Sequence, residues 1–498
     1  MSRYLTIMEV SQKQAYIFAS KELRNNIANS ETIEWVMSSE YFETIVSDKD
    51  IYNKEDNYVY SGGGHVVLEF SDKNRAFSFV KIITSTIRQE YPGIEVFAKT
   101  QEYDESVDAG KNVKLLTAAL EKKKSLRDAA FHQGSFGVEV IDSNTLKPLL
   151  ACDEEKKNKI KLDTIDNCVE ENGYRNAYSF QDLGGTKHDS NFIAVVHIDG
   201  NAMGKRVEQL YEENKDLAWN DYKVKLDEFS TKIDSDFKSA YKTMVKKVAT
   251  NLNEKEKGLG KKLSLKNNYF PVRRIITAGD DICFVSEGRI GIECAVEFIK
   301  SLNKLGYHAC AGIAIVHQKY PFYRAYELAE LLCSNAKRFG AGLSADGTGF
   351  DISCVDWHIE FGEVKDSLEE IRNQYVTLDA ENQNRYLHMR PYIVNASDDI
   401  LAKEKIRRYK HFRAIICKML NNEDKYANSR LKGLRSVLKK GEVETKHYLK
   451  FHKINSIVED FAGDINESGE TFVTTSDGIS RSVLFDAIEL MDTYIELK

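Results

Sequence analysis

The chain has 498 residues, of which 42% are hydrophobic and 30% charged, with a formal net charge of −7, only 5 prolines and 8 scattered cysteines. A single core rarely grows past roughly 250–300 residues, so several globular domains are expected, and the lack of low-complexity runs argues against long disordered linkers. No apolar stretch approaches the ~20 residues that cross a bilayer, the start lacks a signal-peptide core, and cysteines such as Cys283, Cys294, Cys310 and Cys333 sit in apolar runs as in a reducing compartment, so a cytoplasmic protein without membrane contact is expected.

In chain order, residues 4–10 are an apolar run that ends near Glu9 and reads as a strand, and 12–41 is helix-compatible. Residues 58–70 read as a hairpin whose tip carries Gly62, Gly63 and Gly64, followed by His65. A helix over 72–90 and a strand over 94–98, after the Pro92-Gly93 turn, close this unit. Further on, Cys152 and Cys168 lack the Cys-x-x-Cys spacing of a zinc site, and His188-Asp189 is the one His-Asp pair, with no helical domain around it to supply further ligands.

Residues 192–199 form a second apolar strand, ending in Asp199 and breaking at Gly200 and Gly204 with Asn201 and Met203 between. This fits a buried central strand followed by a loop that approaches phosphate. Lysine-rich 242–266, with Glu254, Glu256 and its glycines, reads as an exposed loop. Residues 275–285 then form a hairpin with Ala278-Gly279-Asp280-Asp281 at the turn. Side chains alternate along a strand, so a plain strand would point the two aspartates apart, whereas the glycine permits a bend that brings both to one point. Close carboxylates repel, and a divalent cation between them removes the repulsion. Alone, the segment also reads as an Asp-rich turn; together with Asp199 it describes the palm of polymerases and nucleotidyl cyclases, in which carboxylates of neighbouring strands hold two metals.

A helix over 289–304 stopped by Gly306, a strand over 308–317 and a helix from Pro321 to Gly340 complete the second unit. Lys337 near that helix end is placed either to reach a triphosphate or to complement the helix dipole. Both units thus run strand, helix, hairpin, helix, strand, which gives an antiparallel sheet with helices on one face. In the first unit glycines and His65 replace the aspartates, so it is expected to hold no metal, while its glycines allow a nucleotide near the backbone. Trp357-His358, after the second unit, reads as packing at a domain junction or as a border of the nucleotide pocket. Between Lys403 and Lys453 there are 16 Lys and Arg against 5 Asp and Glu, a basic helical stretch (406–420, then 429–439) that suits RNA phosphates, an acidic partner, or the acidic body of the protein itself. Residues 485–495 read as an amphipathic helix docked on that body.

On these residues the chain resembles the large polymerase/cyclase subunit of type III CRISPR effector complexes, which carries two palms, the first with a Gly-Gly-Gly hairpin and the second with Gly-Gly-Asp-Asp. Residues 15–24, 311–321 and Ala336-Lys337 are also similar, and the resemblance covers roughly 1–360 and, loosely, the helical remainder. It departs at Asn201, where the family has a second Asp, and at Ala278, where it has Gly. The HD nuclease domain and the zinc-binding pair of many relatives are not found. The resemblance implies an α+β fold of two ferredoxin-like palm domains plus a helical C-terminal domain: 1–105, first palm; 106–190, connector; 191–360, catalytic second palm; 361–498, helical domain. It implies that Asp199, Asp280 and Asp281 are catalytic and hold two Mg²⁺ or Mn²⁺ ions. Gly200, Asn201, Met203, Gly204, Ala278, Gly279 and Lys337, with Gly62, Gly63, Gly64 and His65 of the first palm, would bind nucleotide. ATP would be the substrate of a nucleotidyltransferase making cyclic or linear oligoadenylate-type messengers, with RNA or CRISPR effector subunits as partners through the C-terminal domain. A stand-alone defence cyclase outside CRISPR, and a scaffold with an inactive palm, are the other two expectations.

Overall fold

The computed structural model describes residues 3–126, 134–136, 139–141, 164–183, 190–256, 258–344, 347–360, 367–379, 381–421, 426–466 and 468–498; Cys152 and the pair His188-Asp189 lie outside the described residues. The N-terminal unit is a four-stranded sheet of β1 (Tyr4–Ser11), β2 (Tyr58–Gly62), β3 (His65–Phe70) and β4 (Glu95–Glu102) in the order β2-β3-β1-β4, every pairing antiparallel. That is the ferredoxin-like arrangement the element order implies. Alternation along β1 sends Leu5 and Ile7 to one face and Met8 and Val10 to the other, and both faces are buried. Met8 and Val10 join the core under helices Leu23–Val36 and Lys73–Glu90. Leu5 and Ile7 pack with Val113, Leu116 and Leu120 of helix Ala109–Ser125 and with Trp219, Tyr222 and Leu226. The expectation of helices on one face is therefore corrected: the first sheet is covered on both.

After a short hairpin of β5 (Gly134–Phe136) and β6 (Glu139–Ile141), the plan repeats. Strands β7 (Phe192–Gly200), β8 (Val272–Ala278), β9 (Asp281–Glu287) and β10 (Ala309–His317) take the order β10-β7-β9-β8. Here the sheet is extended by β11 (Ser353–Ile359), parallel to β10. Three-residue strands β12 (Val376–Leu378) and β13 (Asn384–Tyr386) follow, then β14 (Tyr392–Asn395), which closes the palm sheet against β11. With β15 (Phe472–Thr474) and β16 (Ser480–Ser482), β12 and β13 form a small third sheet, so the C-terminal part is helical but not purely so. Strands this short show no alternation in sequence.

Residues 242–253 are not a loop but the end of helix Trp219–Asn253, 35 residues long. Tyr241, Met244, Val245, Val248, Ala249 and Leu252 form a buried stripe at helical spacing, while lysines such as Lys242 and Lys246 lie on its exposed face. The basic C-terminal stretch is in part committed internally: Arg407 pairs with Asp477, Arg413 with Glu293 and Glu496, Lys418 with Asp464, Lys432 with Asp492 and Lys446 with Glu442. Arg430, Lys440, Lys450 and Lys453 are exposed. The last helix, Phe485–Leu490, is shorter than expected and buried all round, because Asp486 and Glu489 turn inward onto Arg390. Trp357 stacks on Tyr392 at 5.3 Å between β11 and β14, where the C-terminal part joins the palm. Among the described residues no helix is long and apolar enough to cross a membrane.

A buried ion cluster joins the two palms. Arg274 on β8 contacts Glu31 of helix Leu23–Val36 at 2.5 Å and Asp166 at 3.1 Å, and Arg273 reaches Asp166 at 2.8 Å. Removing one member of such a cluster strands the others in a low-dielectric interior. Arg274→Met is therefore expected to destabilise the chain by about 3–5 kcal/mol, read as a lowered urea midpoint; an unchanged midpoint would refute the lock.

Candidate active site

The second-palm hairpin turns over two residues. Ala278 pairs with Asp281, Gly279 has φ +66° and Asp280 follows at negative φ, a turn whose first central residue needs glycine-like backbone. Asp281 begins β9 directly opposite Asp199, the penultimate residue of β7. The Gly200 N–H donates to the Asp280 carbonyl oxygen at 3.3 Å. A Cβ at Gly200 would meet Asp280 Cβ at 3.0 Å and Met203 Cε at 2.7 Å, so glycine is what lets the turn and strand end close on each other. All three aspartates are thereby brought together at one end of the central strands of the sheet.

Charge accumulates there. The Asp280 carboxyl is pushed up to about 6 and that of Asp281 to about 7, first by burial and then by the charge of Asp199. Lys337, from helix Phe322–Leu343, answers it: its Nζ lies 2.5 Å from Asp199 Oδ2 and donates to the Gly200 carbonyl at 3.0 Å. Lys13, from the first palm, donates to the Gly63 carbonyl, and its charge opposes the rise at Asp281. Among the described residues no three His, Cys, Asp or Glu side chains are gathered into a metal cage. Mg²⁺ seldom uses one; it takes one or two carboxylates and completes its shell with water and phosphate. The donor set fits on that count: hard oxygen ligands, and carboxylates gathered closely enough for the charge of Asp199 to raise both Asp280 and Asp281.

Asn201 is placed differently from expectation. Its side chain is buried and donates to the carbonyls of Gly349 at 3.1 Å and Ile352 at 2.6 Å, so it clamps the strand end to the loop before β11. An aspartate could not donate to that carbonyl pair. Ala202 next to it is left-handed (φ 52°, ψ 38°) and starts helix Met203–Asn214, where Gly204 borders open space.

The first palm mirrors this site without its aspartates. Its turn, Gly63-Gly64, has φ positive at both positions (57° and 79°), and Gly62 pairs with His65. His65 stands opposite Glu9 as Asp281 stands opposite Asp199. Gln12 is left-handed after β1 (φ 51°, ψ 40°) as Ala202 is after β7. Lys124, near the end of the helix that follows β4, pairs with Glu9 at 2.9 Å, as Lys337 pairs with Asp199. The duplication thus runs one helix further than the sequence pattern shows; the run Lys122-Lys123-Lys124 was its available signal. Burial pushes His65 down to about 4, so the imidazole is neutral near pH 7. Burial also lowers His197, on β7 two residues before Asp199.

The two tips meet. A Cβ at Gly63 would lie 4.0 Å from the Ala278 carbonyl oxygen. A cavity of about 270 Å³ between them is lined by Lys13, Gln14, Gly63, His65, Asp280 and Asp281 among others, and one of about 480 Å³ beside it by Trp35, Tyr58, Gly62, Ser230, Asp234 and Gly279 among others. Lys13, Gln14 and His197 are site residues that sequence reasoning did not single out.

Residues 192–341 match the family described as Cas10/Cmr2, second palm domain. No curated protein matches the sequence. Among solved structures, a Csm1-Csm4 cassette in complex with cA4 superposes with TM-score 0.56 at 12% identity, over 99% of this chain and 69% of that one. A cassette in complex with pppApApA gives TM-score 0.54 at 13% identity, again over 99% and 69%. A third, in complex with cA3, aligns at TM-score 0.46 and 14% identity over 71% of this chain, which spans 54% of that one, about half its length. The likeness is one of fold, and the chain is Cas10-like in architecture.

Carboxyls with raised folded-state pKa values favour the fold while protonated, and that stability is lost as pH rises through about 6–7. The double substitution Asp280→Asn/Asp281→Asn is therefore expected to raise the melting temperature at about pH 8, with a gain that shrinks as pH falls toward the ordinary carboxylate range. Equal melting of variant and wild type at high pH would show that the carboxylates do not repel.

Proposed function

We propose that this Cas10-like chain is a metal-dependent nucleotidyltransferase that joins ATP into cyclic or linear oligoadenylates, within or alongside a type III CRISPR-like defence system. The observation that carries the reading is Asp199 opposite Asp281, with Asp280 in the adjoining turn and Lys337 against Asp199. Asp199, Asp280 and Asp281 would hold Mg²⁺ or Mn²⁺, which when bound supplies charge neutralisation for the triphosphate and activation of the attacking hydroxyl.

The chain's own residues do the positioning. The backbone around Gly200 and Gly204 allows the phosphates close, and Lys337 is set to pair with triphosphate oxygens once Asp199 is otherwise neutralised. A second nucleotide, held against Gly62–Gly64 of the first palm, presents its 3′-hydroxyl to the α-phosphate of the first. The new P–O bond forms as the bond to the β-phosphate breaks, the hydroxyl proton is released and pyrophosphate leaves. The cavity between the two tips and the mirrored Glu9–Lys124 pair support a nucleotide on each palm. Such catalysis rests on orientation and charge, with no covalent nucleophile. Partners comparable to the Csm4 of those cassettes, and RNA at the exposed cations Arg430, Lys440, Lys450 and Lys453, belong to the same proposal. The competing reading, a scaffold with an inactive palm, draws on Lys337 already pairing with Asp199.

Purified chain incubated with labelled ATP and Mn²⁺, with and without RNA, is expected to release pyrophosphate and form oligoadenylate, and Asp280→Ala/Asp281→Ala to abolish both. No turnover under any activator would favour the scaffold. Loss of a charge-assisted contact worth ~1.5–3 kcal/mol predicts that Lys337→Met lowers kcat/KM about 10- to 100-fold; an unchanged value would remove Lys337 from the triphosphate site.

A further inference from the structure

The three aspartates are not held alike. Asp199 has Lys337, and the Asp280 carbonyl is tied to the Gly200 N–H. The Asp281 backbone is paired in β9 with Ala278 and Asp199, Lys13 and Lys337 act on its carboxyl by charge, and the basic group in contact with that carboxyl is His197, whose Nδ1 lies 3.5 Å from Asp281 Oδ1. Both atoms are buried and without a hydrogen bond. A buried donor and acceptor left unmade are costly, and these two face each other across a gap only slightly longer than a hydrogen bond. The sequence dictates the meeting: His197 shares a strand face with Asp199, and Asp199 is directly opposite Asp281, so His197 and Asp281 are diagonal neighbours across β7 and β9. The imidazole also packs on Tyr326 of helix Phe322–Leu343, edge to face at 5.5 Å and 81°.

We infer that His197 is a positioning residue of the cation site, its Nδ1–H closing on Asp281 Oδ1 and turning the second carboxylate oxygen toward the divalent cation. Metal-binding carboxylates are commonly oriented by such a partner, whose loss costs cation affinity rather than fold. The inference rests on the reading that these aspartates bind Mg²⁺ or Mn²⁺, and predicts a role for a side chain that touches neither cation nor substrate.

The test is titration calorimetry of the full chain with Mn²⁺ in the presence of a non-hydrolysable ATP analogue. His197→Phe keeps the packing on Tyr326 but has no donor; His197→Asn keeps a donor nitrogen at the Nδ1 position. The Phe variant is expected to bind Mn²⁺ about 10- to 100-fold more weakly and the Asn variant within about threefold of wild type, with melting temperatures confirming both folds. Should Phe not be tolerated, His197→Leu is the donor-free comparison. Unchanged affinity in the donor-free variant, or an Asn variant as weak as it, overturns the inference while leaving the cation site standing. A wild-type chain that binds no Mn²⁺ overturns the cation site itself, and this inference with it.

Discussion

Three carboxylates gathered and partly buried at the end of β7 are the constraint around which the neighbouring residues are arranged. Asp199, Asp280 and Asp281 are held where two strands and a tight turn converge, in partial burial that raises the last two well above an ordinary carboxyl. Much of the neighbourhood bears on that problem. Gly200 permits the approach, Lys337 balances Asp199, and Lys13 brings positive charge across from the other palm. Concentrated like charge is unfavourable for folding, and its persistence in a cleft supports the cation and polyphosphate site proposed above.

The same frame carries a second, different outcome. In the first palm the pairing of Asp199 with Asp281 becomes Glu9 with His65, one carboxylate and one neutral imidazole, so little repulsion needs relief. Lys124 still meets Glu9 as Lys337 meets Asp199. The turns diverge in backbone as well: positive φ at Gly63 and Gly64, but at Gly279 alone in the second palm. In the second form Asp280 occupies a turn position that asks for no left-handed backbone. The asymmetry of the two palms is thus set by the turn as much as by the residues on it.

Opposed tips are of use only if held in place. The buried contacts of Arg274 with Glu31 and of both arginines with Asp166 tie the second hairpin to the helix behind the first. Ion pairs are a directional choice for this junction: apolar packing alone would tolerate sliding, whereas bidentate guanidinium contacts specify a register. The C-terminal region is anchored in a similar way, through Glu293 with Arg413 and through Asp486 and Glu489 with Arg390. Part of its basic character therefore has an internal partner.

Both hairpins, the strand ending at Asp199 and the repeated element order were legible in the sequence, because apolar periodicity and glycine turns are local signals. So was the set Asp199, Asp280 and Asp281, since residue type and distance from a turn place them, whereas spacing left Lys337 open between a phosphate contact and the helix dipole until the fold set it against Asp199. Other features were decided by contacts between distant segments. Asn201 turns its amide into a pair of carbonyls about 150 residues away in sequence. His197 meets Asp281 only through the register of two strands, and Lys124 meets Glu9 only once its helix has folded back. The lysines of 242–253 obscured a helix whose buried stripe is clear only against the palm it covers, and the three-residue strands of the third sheet are too short to announce themselves. Local sequence determined which groups are available and which turns present them; tertiary structure decided which groups face one another, because pairing energies depend on distances that only the closed fold creates.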